Sequence, residues 1–127
     1  MPGESRREGI SGECDAAKFL EAKGYKILDK NFSGRHGEID IVAKHGDYIV
    51  FVEVKSRLNE KFGRPIESVT PYKMQCIIET AKFYATVKGC IEMNMRFDVI
   101  EILRGEITHT VNAFDLSDMK RYIRHRR

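Results

Sequence analysis

With 127 residues, 42% of them hydrophobic and 32% charged, the chain has the length for one hydrophobic core and the composition of an ordinary soluble protein. Nothing in it approaches the roughly 18 consecutive apolar residues of a membrane span, and the charged opening MPGESRREGIS leads into no apolar segment, so no secretory signal and a cytoplasmic location are expected. The formal charge of +3 resides in residues 115–127, DLSDMKRYIRHRR, where five Lys or Arg face two Asp; such an end suits a nucleic-acid backbone, and equally a solvated terminus.

In chain order, residues 1–10 carry Pro2, Gly3 and no apolar periodicity and read as a flexible arm. The stretch 12–23 sets Ala16, Ala17 and Leu20 on one helical stripe with Glu13 near its edge, and Gly24 is the expected C-cap. Cys14, here, and the later Cys76 and Cys90 lack the spacing of a disulfide framework or a zinc site. A strand over 25–32 leads through the turn SGRHG to two further strands, EIDIVAK and YIVFVEVK, joined at His45, Gly46 and Asp47. Residues 56–68 are long and polar enough for a mobile loop. Thr70 then caps a helix with Pro71 at its first position and a buried stripe of Met74, Ile77, Ile78, Ala81, Tyr84 and Ala85. Strands over 95–103 and 105–111 close an α/β domain, 11–115, with a mixed sheet of about five strands; residues 116–127 form the basic tail.

Four carboxylates, Glu38, Asp40, Asp47 and Glu53, stand in the most apolar part of this pattern. If His45 and Gly46 are the two loop residues, Glu38 faces Glu53 and Asp40 faces Phe51. Asp40, Glu53 and Lys55 then share one side of the sheet, with Asp40 and Glu53 as diagonal neighbours within about 8 Å. Like charges placed so near are costly unless paired, protonated or bound to a cation, and Mg²⁺ suits carboxylate oxygens. Lys55 adds a point charge for a phosphate oxygen or a water. The same residues also read as strand-end charges paired with Lys44, Lys55 and Arg57.

An acid followed, after a hairpin, by E-V-K resembles the core of the PD-(D/E)xK nucleases, with Ile39 where a proline normally precedes the first acid. The run of Gly12-Glu13, Asn31-Phe32, Gly37-Glu38-Ile39-Asp40, Phe51 to Arg57, Phe62-Gly63, Arg96-Phe97-Asp98 and Asn112-Ala113-Phe114 is similar to the YraN-like proteins of bacteria, uncharacterised protein family 0102. That resemblance covers about residues 9–115 and implies a restriction-endonuclease-like three-layer domain, near the Holliday-junction resolvases. Carried onto this chain, it implies Asp40, Glu53 and Lys55 as catalytic residues. Glu13, Asp40, Glu53 and the carbonyl of Val54 are then the ligands of Mg²⁺ or Mn²⁺. The implied activity is metal-dependent hydrolysis of DNA phosphodiester bonds at branches or ends, in repair or recombination, with a non-catalytic nucleic-acid-binding or scaffold protein as the alternative. DNA is favoured over RNA as the partner, no membrane is expected, and a homodimer is compatible with the junction-resolvase likeness. Arg57, Lys61, Arg64, Arg124 and Arg126 are the candidate phosphate contacts. His36 and His45 read as solvated loop residues, and Lys73 as part of a helix start before a DNA contact.

Overall fold

In the computed structural model the backbone is described for residues 2–57 and 69–115, and side chains for 12–56 and 69–115. The order is α1 (Pro2–Ala22), β1 (Lys26–Gly34), β2 (Gly37–His45), β3 (Tyr48–Arg57), α2 (Pro71–Lys88), β4 (Asn94–Leu103) and β5 (Glu106–Phe114). The strands form one sheet in sequence order; β1, β2 and β3 are antiparallel neighbours, β3 and β4 are parallel, and β4 and β5 are antiparallel. A parallel pair needs a crossover, and α2 belongs to the connection between β3 and β4.

The sheet is covered on both faces. On one side Ala16, Ala17 and Leu20 of α1 pack on Ile41, Ala43, Val50, Val52, Ile100 and Ile102. On the other, Ile77, Ile78, Ala81 and Tyr84 of α2 pack on Ile39, Val42, Ile49, Phe51, Phe97 and Val99. Strands buried on both faces lose the alternation of a half-exposed sheet, which is why β3 reads as a nearly continuous apolar run. This three-layer α/β arrangement matches the restriction-endonuclease-like topology.

Several local signals act as their chemistry requires. Thr70 Oγ1 accepts the Lys73 N–H at 3.1 Å ahead of Pro71, capping α2. Gly24 takes φ +92° just after α1, a conformation costly for any residue with a Cβ. Two expectations are corrected. The α1 backbone is already helical from Pro2, ten residues before the helical stretch read from the sequence begins at residue 12. Thr80, expected off the buried stripe, is 1% exposed because its hydroxyl donates to the Cys76 carbonyl at 2.7 Å and so enters the core satisfied.

The α1 layer is also tied to the sheet by a buried polar network. A bulge between Phe97 and Val99 and a positive φ at Asn112 take the Asn112 N–H out of the β4–β5 ladder, and Asp98 Oδ1 accepts it at 3.0 Å. Arg96 donates to both oxygens of Asp98 at 3.0 Å, and His109 Nε2 donates to Oδ2 at 2.7 Å. Lys23, following α1, reaches His109 Nδ1 at 3.3 Å; an ammonium can only donate, so the imidazole proton lies on Nε2. Burial alone would raise the Asp98 pKa, but the bonds from His109, Arg96 and Asn112 outweigh it and hold the carboxyl below the usual range. The associated stability is therefore present above the ordinary carboxylate pKa and lost as pH falls. Asp98→Asn should lower the free energy of unfolding at pH 7 by about 3–5 kcal/mol, because Arg96 is left without its counter-charge. Urea denaturation measures this, and a loss under about 1 kcal/mol would show that the network carries little of the fold.

Candidate active site

The β2–β3 hairpin places the acids, and its turn differs from the one expected. His45 pairs with Tyr48, so the two turn residues are Gly46 and Asp47. The register runs through Val42 opposite Phe51 to Ile41 opposite Val52. Counting on by one sets Asp40 directly opposite Glu53, and not opposite Phe51. Glu38 comes opposite Lys55 by the same count. Moving the turn by one residue shifts each pairing by two, which preserves the side of the sheet on which every side chain stands.

The β2–β3 ladder stops at Ile41 and Val52, and an aspartate takes over. The next β3 amide facing β2, that of Val54, donates to Asp40 Oδ2 at 2.8 Å. The N–H and C=O of one strand residue point to the same edge, so the Val54 carbonyl faces this gap as well. Asp40 is half-buried and its pKa is pushed up to about 7, first by burial and then by the charge of Glu53. Glu13 and Glu38 push in the same direction, against the lowering effect of the Val54 bond. A carboxylate within the field of three others is the electrostatic signature of this end of the sheet.

Glu53 is 6% exposed and is neutralised by two lysines, Lys55 Nζ at 3.2 Å and Lys73 Nζ at 3.5 Å, both on Oε1. Ile49 and Phe51 belong to the α2-side core, so alternation along β3 turns Glu53 toward α2, whose first turn supplies Lys73. The structure thus gathers Asp40, Glu53, Val54 and Lys55, and adds Lys73, which the sequence marks as a helix start first and a DNA contact second. Its signal is its place three residues after an N-cap, where a long cation overhangs the strand end.

Glu13 approaches from α1. Gly12 beside it lets the helix lie close on β3, since a Cβ there would stand 3.0 Å from Ser56 Cβ. The charge of Glu13 reaches Asp40, but among the described residues no three His, Cys, Asp or Glu side chains group closely enough to hold an ion. Arg57 ends β3, with its side chain outside the described residues, as are Lys61, Arg64, Arg124 and Arg126. His45, read from sequence as solvated, instead stacks on Tyr25 with ring centroids 4.0 Å apart. His36 lies with Arg35 and Phe83 along an open groove of about 340 Å³, and Tyr72 is 70% exposed. Among the described residues no helix is long and apolar enough to cross a membrane.

Comparison with known proteins adds a family. The model of the uncharacterised protein family UPF0102 matches residues 12–102. A UPF0102 protein of Clostridium novyi is 50% identical over 101 residues, covering 80% of this chain and 84% of the relative. One from Geobacter sulfurreducens is 45% identical over 114 residues, covering 86% and 89%. One from Clostridium perfringens is 52% identical over 94 residues, covering 74% and 77%.

The raised Asp40 pKa gives the metal-free protein a defined pH response. Between 3.8, the ordinary value, and about 7 the folded form retains a proton that the unfolded chain has released. The stability associated with protonated Asp40 is thus complete at low pH and lost as pH rises through about 7. In EDTA, Asp40→Asn should flatten that decline, measured by urea denaturation from about pH 4 to 8. A decline as steep in the variant as in the wild type would place its source elsewhere.

Proposed function

Since the chain belongs to the UPF0102 family and has the fold of the PD-(D/E)xK and junction-resolvase-like nucleases, we propose that it is a metal-dependent nuclease acting on DNA phosphodiester bonds. One observation carries this reading: a half-buried carboxylate, Asp40, and a buried one, Glu53, act on each other where the β2–β3 ladder ends, and Lys55 stands beside Glu53. Nothing in the packing demands acids there, and a like-charged pair out of water is relieved best by a cation.

The residues fit a hard divalent ion of the kind that keeps much of its water. Mg²⁺ is held through one or two carboxylates plus waters more often than in an all-protein cage. Asp40 and Glu53 would hold it, the Val54 carbonyl offers a further oxygen, and Glu13 lies at the edge for a water-mediated contact. A bound Mg²⁺ or Mn²⁺ supplies Lewis-acid polarisation of a phosphate and a more acidic water. Lys55 balances charge that develops on the phosphoryl oxygens, a task suited to a mobile ammonium. Arg57, Lys61 and Arg64, followed by Arg124 and Arg126 in the tail, are the proposed backbone contacts. Because they would address phosphates, recognition should follow the shape of a branch or an end and weaken with salt.

A non-catalytic nucleic-acid-binding role is the second reading, favoured by the lack of a three-ligand cluster among the described residues. A cleavage assay separates the two. With Mg²⁺ or Mn²⁺ and a panel of linear, single-stranded, flapped and four-way DNA, the protein should cut slowly and prefer branched or ended substrates. Asp40→Asn and Glu53→Gln should each reduce the rate by roughly 10²-fold or more while sparing much of the salt-dependent binding. Lys55→Ala should lose the rate but keep the metal. No cleavage by the wild type in a panel that includes RNA, or wild-type rates in Glu53→Gln, would favour the binding role.

A further inference from the structure

One buried acid is left unexplained by the fold. Glu101, on β4, is 6% exposed and lies directly beside Lys55 in the parallel β3–β4 register. Phe97 and Val99 belong to the α2-side core, and Ile100 and Ile102 to the α1-side core. Alternation along β4 therefore sets Glu101 on the α2 side, the same face as Glu53 and Lys55. Across the other edge of β4 its ladder partner is Thr108. Among the described residues Glu101 has neither a hydrogen bond nor an ion pair. Asp98, the other buried acid on this strand, has four such contacts.

A carboxylate withheld from water is costly when nothing neutralises it, and a native chain that keeps one unpaired calls for an explanation. The nearest cation by register is already engaged: Lys55 lies on Glu53 Oε1, an oxygen it shares with Lys73. Two ammonium groups on one carboxylate oxygen occupy the same electrostatic position that a divalent cation would take. Adjacent strands are about 4.8 Å apart, and a lysine stem spans that distance by rotation of its side chain alone.

We propose that Glu101 is the second seat of Lys55. The ammonium rests on Glu53 when Asp40 and Glu53 hold no divalent cation, and crosses the β3–β4 ladder to Glu101 when they do. The proposal rests on the cation site inferred above. Glu101 is thus a positioning residue, which acts through Lys55 and keeps it ordered beside the scissile phosphate. It also favours cation binding, because it receives the ammonium that must leave Glu53.

Mn²⁺ titration of the full chain, by calorimetry or electron paramagnetic resonance, tests this without reference to cleavage. Glu101→Gln, nearly equal in shape and free of the unpaired charge, should unfold at or above the wild-type temperature and bind Mn²⁺ about 5- to 10-fold more weakly. In a Lys55→Met background the same change should alter Mn²⁺ affinity by less than about twofold, since no ammonium needs a seat. A wild-type affinity in Glu101→Gln overturns the proposal. So does an equal loss in both backgrounds, which would mark Glu101 as a through-space charge. A Mn²⁺-bound crystal structure of the wild type supplies a readout independent of any variant's folding: Lys55 Nζ should lie about 3 Å from a Glu101 oxygen, and an ammonium still on Glu53 refutes the exchange. Failure of the wild type to bind Mn²⁺ at all would instead refute the cation site itself.

Discussion

The confrontation of Asp40 and Glu53 organises this end of the molecule. Two strands pair by main-chain bonds as far as Ile41 and Val52, and then a side chain replaces the main chain as acceptor: Asp40 takes the amide of Val54. A carboxylate so held cannot move away from the acid opposite, and its neutral form is favoured up to about pH 7. Glu53 is held from the other side by Lys55 and Lys73. The site is therefore polarised, with one acid inclined to keep its proton and the other saturated with ammonium groups. A divalent cation would remove both conditions together.

The rest of the fold keeps that arrangement rigid. Both helices press on a sheet whose central strands are buried on each face, so register cannot slip without moving apolar side chains into water. Asp98 repeats, in the structural part of the molecule, the device used by Asp40. Each is an aspartate beside a break in an antiparallel ladder, and each accepts a strand amide left without its carbonyl. Their neighbours set opposite outcomes. Asp98 has Arg96 and His109 and is held in its charged form, whereas Asp40 has Glu53, Glu13 and Glu38 and is pushed toward its neutral form. At the second of these places the electrostatics are unresolved by the protein alone, which is what marks it as the candidate functional site.

Much of this was legible in the sequence, and the limits have physical causes. The stripe of Ala16, Ala17 and Leu20, the Thr70-Pro71 helix start and the α/β order follow from local periodicity and capping, which the structure retains. Asp40 and Glu53 were read as neighbours across the β2–β3 hairpin, and the charge of Glu53 does act on Asp40 although the turn lies one residue further along, because a hairpin shift of two preserves parity. What sequence spacing could not provide was lateral proximity. Lys73 is twenty residues from Glu53 along the chain, and Glu101 reaches Lys55 only through a parallel pairing that depends on the crossover. His109 gave no sign of its role, since its partners Lys23 and Asp98 come from opposite ends of the domain. His45 looked solvated because the hairpin end hides the tyrosine on which it stacks.

The central claim, that Asp40 and Glu53 form a cation site, is tested most directly by anomalous scattering from crystals soaked in Mn²⁺. A single strong peak should lie between the two carboxylates, within about 2.0–2.4 Å of an oxygen from each, and should vanish in Glu53→Gln crystals. Strong Mn²⁺ peaks found only elsewhere on the molecule, or a peak at the site that survives in Glu53→Gln with unchanged occupancy, would contradict the account.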